Sequence, residues 1–181
     1  MEKEKDNELM QRDVSVRDFI KEYLIDGIEE IKKEHPYHAF LLMAVGVEFL
    51  GKCKNTNDWN FYQNGQPEAD FNDGLAEFPK DLEGKNKYDS LNLYKNLRCG
   101  LAHSFLMKGD LTLSDKEGGG SISCDVFYDD FVKACKKILT MPSISNGKSL
   151  DDTFFTITTT EKGASTTGNT KSSKCIKHTN G

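Results

Sequence analysis

Val16, Phe19, Ile20, Tyr23, Leu24, Ile28 and Ile31 recur at intervals that line one face of an α-helix, and the pattern predicts a helix from about Ser15 to Glu34. Ser15, with Asp18 three residues on, supplies a capping box at its start. His35-Pro36 ends it, because proline disfavours a helical residue before it while suiting the first turn of the next helix. That next helix runs from Tyr37 to about Leu50 and is apolar on nearly every side, the signature of a central buried element, with Gly51 as its stop.

The stretch that organises the rest is Tyr88 to Phe105, YDSLNLYKNLRCGLAHSF. Read as one regular helix, it places Leu91, Tyr94, Leu97, Leu101 and Phe105 on a single face. Arg98 falls inside that face, so its stem must lie among apolar neighbours. Its guanidinium cannot shed its proton, and an unpaired buried charge is too costly to keep, so an anion must stand close by. Glu48, set among Val45, Val47, Phe49 and Leu50 of the buried helix, has the reciprocal need. The two are therefore expected to pair across packed helices. His103, five residues after Arg98, falls about 140° away around a regular helix, toward solvent or a second subunit. Gly100 between them lets another backbone approach or the helix deform.

Residues 52–68 read as a polar loop that Trp59, Phe61 and Tyr62 pin to the core, and a short helix is expected near Ala69 to Phe78. Beyond Phe105 the period changes. Leu111 and Leu113, then Ile122, Cys124 and Val126, alternate on either side of a glycine-rich turn, which predicts a β-hairpin. Gly118-Gly119-Gly120 lacks the context of a phosphate loop. Phe127, Phe131, Ala134, Cys135 and Ile138 form a further amphipathic helix, ended before Pro142. The expected organisation is a charged, frayed leader at 1–13 and a helical bundle at 14–142 with the hairpin inserted at 106–126. An extra strand follows within 143–161 (TFFTITTT), added to the hairpin, and then a disordered Ser/Thr/Gly/Lys-rich tail at 162–181. The fold class is mostly α, an up-and-down bundle with a small hairpin or three-stranded addition near the C-terminus.

The chain has 181 residues, the size of one domain with a real core. Its formal charge of −5 conceals an uneven distribution, since residues 1–161 carry 20 basic and 29 acidic side chains, a net of −9. That balance argues against a broad basic surface for long nucleic acid but leaves room for a small positive cleft. Five cysteines without a C-x-x-C pair fit neither a zinc site nor a disulfide framework, and read as reduced thiols in a cytoplasmic protein. His35 and His38 are three apart, but no further ligands complete a metal site, and His178 in the tail has no evident chemistry. No metal or cofactor is expected. The opening residues are too charged for a signal peptide, and the 12-residue apolar run Ala39 to Leu50, which includes Glu48, is short of the ~20 that a membrane span needs.

A buried apolar helix bearing an acidic residue, followed by YKNLRCGLAHS with Arg98 and His103 separated by four residues, resembles the HEPN superfamily. The likeness covers about residues 14–140. It implies an all-α bundle and metal-independent endoribonuclease activity at a composite site in a homodimer, in a toxin or defence setting with an antitoxin-like protein partner. By this resemblance His103 is the general acid or base, Arg98 stabilises the phosphate, and Glu48, Lys95, Asn96 and Ser104 support them. Cys99 stands where active members of that family often carry Asn, Asp or His. The competing reading, favoured by Cys99 and by the acidic surface, is a non-catalytic dimerising or partner-binding module in which Glu48 and Arg98 only fix packing.

Overall fold

The computed structural model describes residues 10–56, 63–104, 106–109, 111–114, 121–160 and 163–167. The predicted loop anchors Trp59, Phe61 and Tyr62, the end of the central stretch at Phe105, the Gly118-Gly119-Gly120 turn, and Cys175 and His178 in the tail lie outside them.

The first helix begins as its sequence dictates. Ser15 Oγ accepts the Asp18 amide at 3.0 Å while the Ser15 amide donates to Asp18 Oδ2 at 3.4 Å. From α1 (Val16–Asp18) the chain passes through a π-helical segment, Phe19–Asp26, into α2 (Gly27–Glu34), burying Val16, Ile20, Leu24 and Ile28. His35 leaves helical geometry and Pro36 opens α3 (Pro36–Lys54), the central helix. Gly51, expected to end α3, lies inside it. A Cβ there would sit 1.6 Å from the carbonyl oxygen of Asp70, and one at Gly74 would sit 1.9 Å from that of Val47. The two glycines thus let α3 and α4 (Gln66–Leu75) cross with their backbones touching. Buried Asp70 ties the ends of the intervening loop together, its Oδ1 accepting from Gln66 Nε2 at 2.6 Å and Asn55 Nδ2 at 3.0 Å.

A short 3-10 turn, Asp89–Leu91, and Asn92 at a φ of 44° interrupt the predicted central helix, which resumes as a π-helical turn, Tyr94–Cys99, and then α5 (Gly100–Ser104). α6 (Cys124–Leu139) buries Phe127, Phe131, Ala134, Cys135 and Ile138 as expected, with Phe78 and Tyr88 packed on Phe127 at centroid distances of 5.3 and 5.1 Å. Buried Asp130 is held by Lys87 and Lys133, each at 3.0 Å, and by the Tyr88 hydroxyl at 3.1 Å.

The chain is mostly helical, and its β-structure departs from expectation. Cys124 and Val126 belong to α6, so no hairpin extends to 126. What remains is a two-residue parallel pairing of β2 (Thr112–Leu113) with β3 (Ser121–Ile122). The main sheet joins both ends of the chain, antiparallel in the order β1-β4-β5: β1 (Met10–Ser15), β4 (Thr153–Thr160) and β5 (Gly163–Thr167). Residues 10–13, read as frayed, are held by this pairing and by the 2.6 Å bond from Thr156 Oγ1 to Asp13. The predicted extra strand therefore pairs with the N-terminus, and residues 163–167, assigned to the tail, extend the sheet. Among the described residues, no helix is long and apolar enough to cross a membrane, and no three His, Cys, Asp or Glu side chains group to hold a metal ion.

Gly51→Ala is expected to cost about 3 kcal/mol or more, because the clash is with backbone and cannot be relieved by a rotamer change; urea unfolding measures it. Burial pushes the Asp130 carboxyl upward, but the hydrogen bonds from Lys87 and Lys133, the charge of Lys87 and the Tyr88 hydroxyl outweigh it and hold the group below the ordinary aspartate value. A lowered folded value stabilises the protein above the unfolded pKa and is lost as pH falls through the folded one. Unfolding free energy is therefore expected to drop as pH falls below about 4, and less steeply in Asp130→Asn.

Candidate functional site

Glu48 and Arg98 meet as their neighbours require. α3 has a single charge between Ala39 and Leu50, and it lies on a flank where the side chain keeps 13% of its surface in water. Arg98 comes from the π-helical turn, its stem beside buried Leu97 and Leu101, with 20% of the side chain exposed. Its Nε and Nη2 both donate to Glu48 Oε2, each at 2.7 Å. These are short, charge-assisted bonds in a shielded setting, where one partner without the other is unfavourable.

Tyr94 completes the cradle. Its ring centre lies 5.9 Å from the guanidinium carbon of Arg98, and its other neighbour is Phe71 of α4 at 5.7 Å. Burial raises the Tyr94 hydroxyl pKa, a hydrogen bond with Cys99 and the charges of Cys99 and Glu48 add to this, and Arg98 opposes it. Sequence reasoning placed Tyr94 only in the apolar stripe; its spacing of four from Arg98 was the available signal for a stacking partner.

At Gly100 the winding returns to α, and His103 is carried into solvent. Among the described residues it has no hydrogen bond or ion pair. A Cβ at Gly100 would lie 2.5 Å from the carbonyl oxygen of Leu106, because the chain reverses after Ser104 and packs back on the helix. The Leu106 amide donates to Gly100 O at 3.4 Å and the Lys108 amide to Asn96 O at 3.0 Å. Both openings read from the sequence at Gly100, close approach and altered winding, are thus used.

The supporting residues separate. Asn96 spends its amide nitrogen on Leu91 O at 3.0 Å, which secures the start of the helix and removes that donor from phosphate binding. Lys95 and Ser104 are exposed. Leu42 and Val45, on the helix expected to be buried all round, are 40% and 47% exposed. His35 and His38 stack edge to face at 5.5 Å, away from any further ligand group among the described residues. The arrangement commits the Nε and Nη2 edge of Arg98 to Glu48 and leaves the imidazole of His103 exposed. Comparison with protein-family models, with curated proteins and with solved structures finds no match for this chain.

Glu48→Gln is expected to lower the unfolding free energy by about 2 kcal/mol, since it strands a shielded guanidinium. Adding Arg98→Met should return part of that loss. A double-mutant cycle by urea unfolding reads the coupling, and strictly additive costs would mean the pair does not hold the helices together.

Proposed function

We propose that this chain is a HEPN-like, metal-independent endoribonuclease acting as a homodimer. The observation that carries the reading is the division of labour on one helix: Arg98 fixed by Glu48 and Tyr94, and His103 free in solvent beyond Gly100. An imidazole titrates near neutrality and suits proton transfer; a guanidinium is a permanent fork for phosphate oxygens. His103 takes the proton of a ribose 2′-hydroxyl as that oxygen bonds to the adjacent phosphorus. The bond to the 5′-oxygen breaks, and the leaving oxygen takes a proton from a second imidazole, His103 of the other copy. The products are a 2′,3′-cyclic phosphate and a 5′-hydroxyl end. Arg98 stabilises the charge on the pentacoordinate phosphorus.

A second reading is supported by the exposed Leu42 and Val45 and by the engagement of Arg98 with its own carboxylate: a non-catalytic dimerising module. Cleavage of labelled single-stranded RNA in EDTA distinguishes them. The nuclease reading expects metal-free cleavage that falls by at least about 100-fold in His103→Ala, with cyclic phosphate ends. Absence of cleavage at every protein concentration assigns the chain to the module.

A further inference from the structure

We infer that Lys108, together with Lys95, binds phosphates of the polyanion flanking the His103 site. The identity of the ligand as single-stranded RNA rests on the nuclease reading above; the placement of the lysines does not. Residues 90–109 contain Lys95, Arg98, His103 and Lys108 and no Asp or Glu, in a chain whose net charge is −5. Arg98 is paired with Glu48, and the segment is flanked by Asp89 and Asp110; within it the two lysines have no ion pair among the described residues. The same is true, among the described residues, of Lys21, Lys52, Lys80 and Lys136, whereas Lys32, Lys33, Lys54, Lys85, Lys87 and Lys133 each have one. What sets Lys95 and Lys108 apart is that the fold brings them together beside His103.

Lys108 is thirteen positions from Lys95 in sequence, and the chain reversal brings it back. Its amide bonds to Asn96, the immediate neighbour of Lys95, and Leu106 presses on Gly100, four residues further along the same helix face. His103 follows Gly100 by three, so the returning segment lies along the face that carries the imidazole. Partly buried Met107 packs on the core and anchors this segment, while Lys108 on its exposed side reaches solvent. Gly109, at a φ of 68°, turns the chain away beside the Asn96 side chain. The result is a basic shelf of two ammonium groups beside an exposed histidine, on an otherwise acidic molecule. Such charges contact phosphate without reading base sequence, so they would contribute affinity and salt dependence rather than specificity.

The test uses the full chain carrying His103→Ala, so that bound RNA stays intact, and fluorescence anisotropy of a labelled single-stranded RNA from roughly 50 to 200 mM salt. Lys108→Gln should weaken binding several-fold and reduce the slope of log affinity against log salt by about 0.7, Lys95→Gln should do the same, and the double variant should lose about twice that slope. Lys108→Glu should lose more than Lys108→Gln. Lys136→Gln, an exposed change on α6, should alter neither quantity. Equal losses in Lys136→Gln, an unchanged slope in Lys108→Gln, or no binding at the lowest salt overturns the inference. RNA binding with the lysine effects but no cleavage by the wild type keeps the shelf and removes the nuclease reading. Cleavage indifferent to Lys108 does the reverse.

Discussion

Arg98 carries its charge on a side chain that is only 20% exposed, between buried Leu97 and Leu101 in sequence. Such a group must take a counter-ion inward with it. Glu48 on α3 has the same requirement with the sign reversed, and each satisfies the other at 2.7 Å. Apolar contacts alone tolerate sliding or rotation, because burial has no direction. Two donors converging on one carboxylate oxygen do not, so the pair sets both the height and the rotation of the π-helical turn against α3.

That constraint was legible in the sequence because it follows from composition and helical spacing at two positions. The capping box at Ser15 and Asp18 and the break at His35-Pro36 were legible for a different reason: there the signal and the structure it produces are neighbours in the chain. What escaped depends on distant partners. Gly51 has the form of a helix stop, and only the arrival of α4 makes it a crossing point. Residues 10–13 are charged and look frayed until β4, more than a hundred residues later, pairs with them. Cys124 and Val126 alternate with Ile122 as a strand would, but with Ser123 at the N-cap the period changes to that of a helix. The π winding of Tyr94–Cys99 was illegible too, since counting residues around a regular helix presumes the hydrogen-bond pattern that this segment abandons.

The candidate site inherits the same division. Glu48 and Arg98, each a charge in an apolar helical face, were found from the sequence, and Tyr94 was visible though unused. Asn96 reads from the sequence as a supporting residue only through the resemblance, and as a solvent-facing side chain otherwise. Its engagement with Leu91 depends on the 3-10 turn and left-handed Asn92 just before it, and these bring that carbonyl within reach. The place of Lys108 beside this helix was illegible, because it arises only once the chain folds back.

Glycines carry more of this geometry than their small size suggests. At Gly51 and Gly74 two helices touch backbone to backbone, and at Gly100 the returning segment touches the helix that bears Arg98 and His103. Backbone contacts of this kind have no rotamers through which to relax, so the orientation of that helix is fixed from two sides: by α3 through the ion pair, and by residues 106–108 through Gly100 and Asn96. His103 lies beyond both clamps. The ion pair and the backbone contacts thus fix the helix at Asn96, Arg98 and Gly100, and His103, later in α5, is the exposed residue of the set.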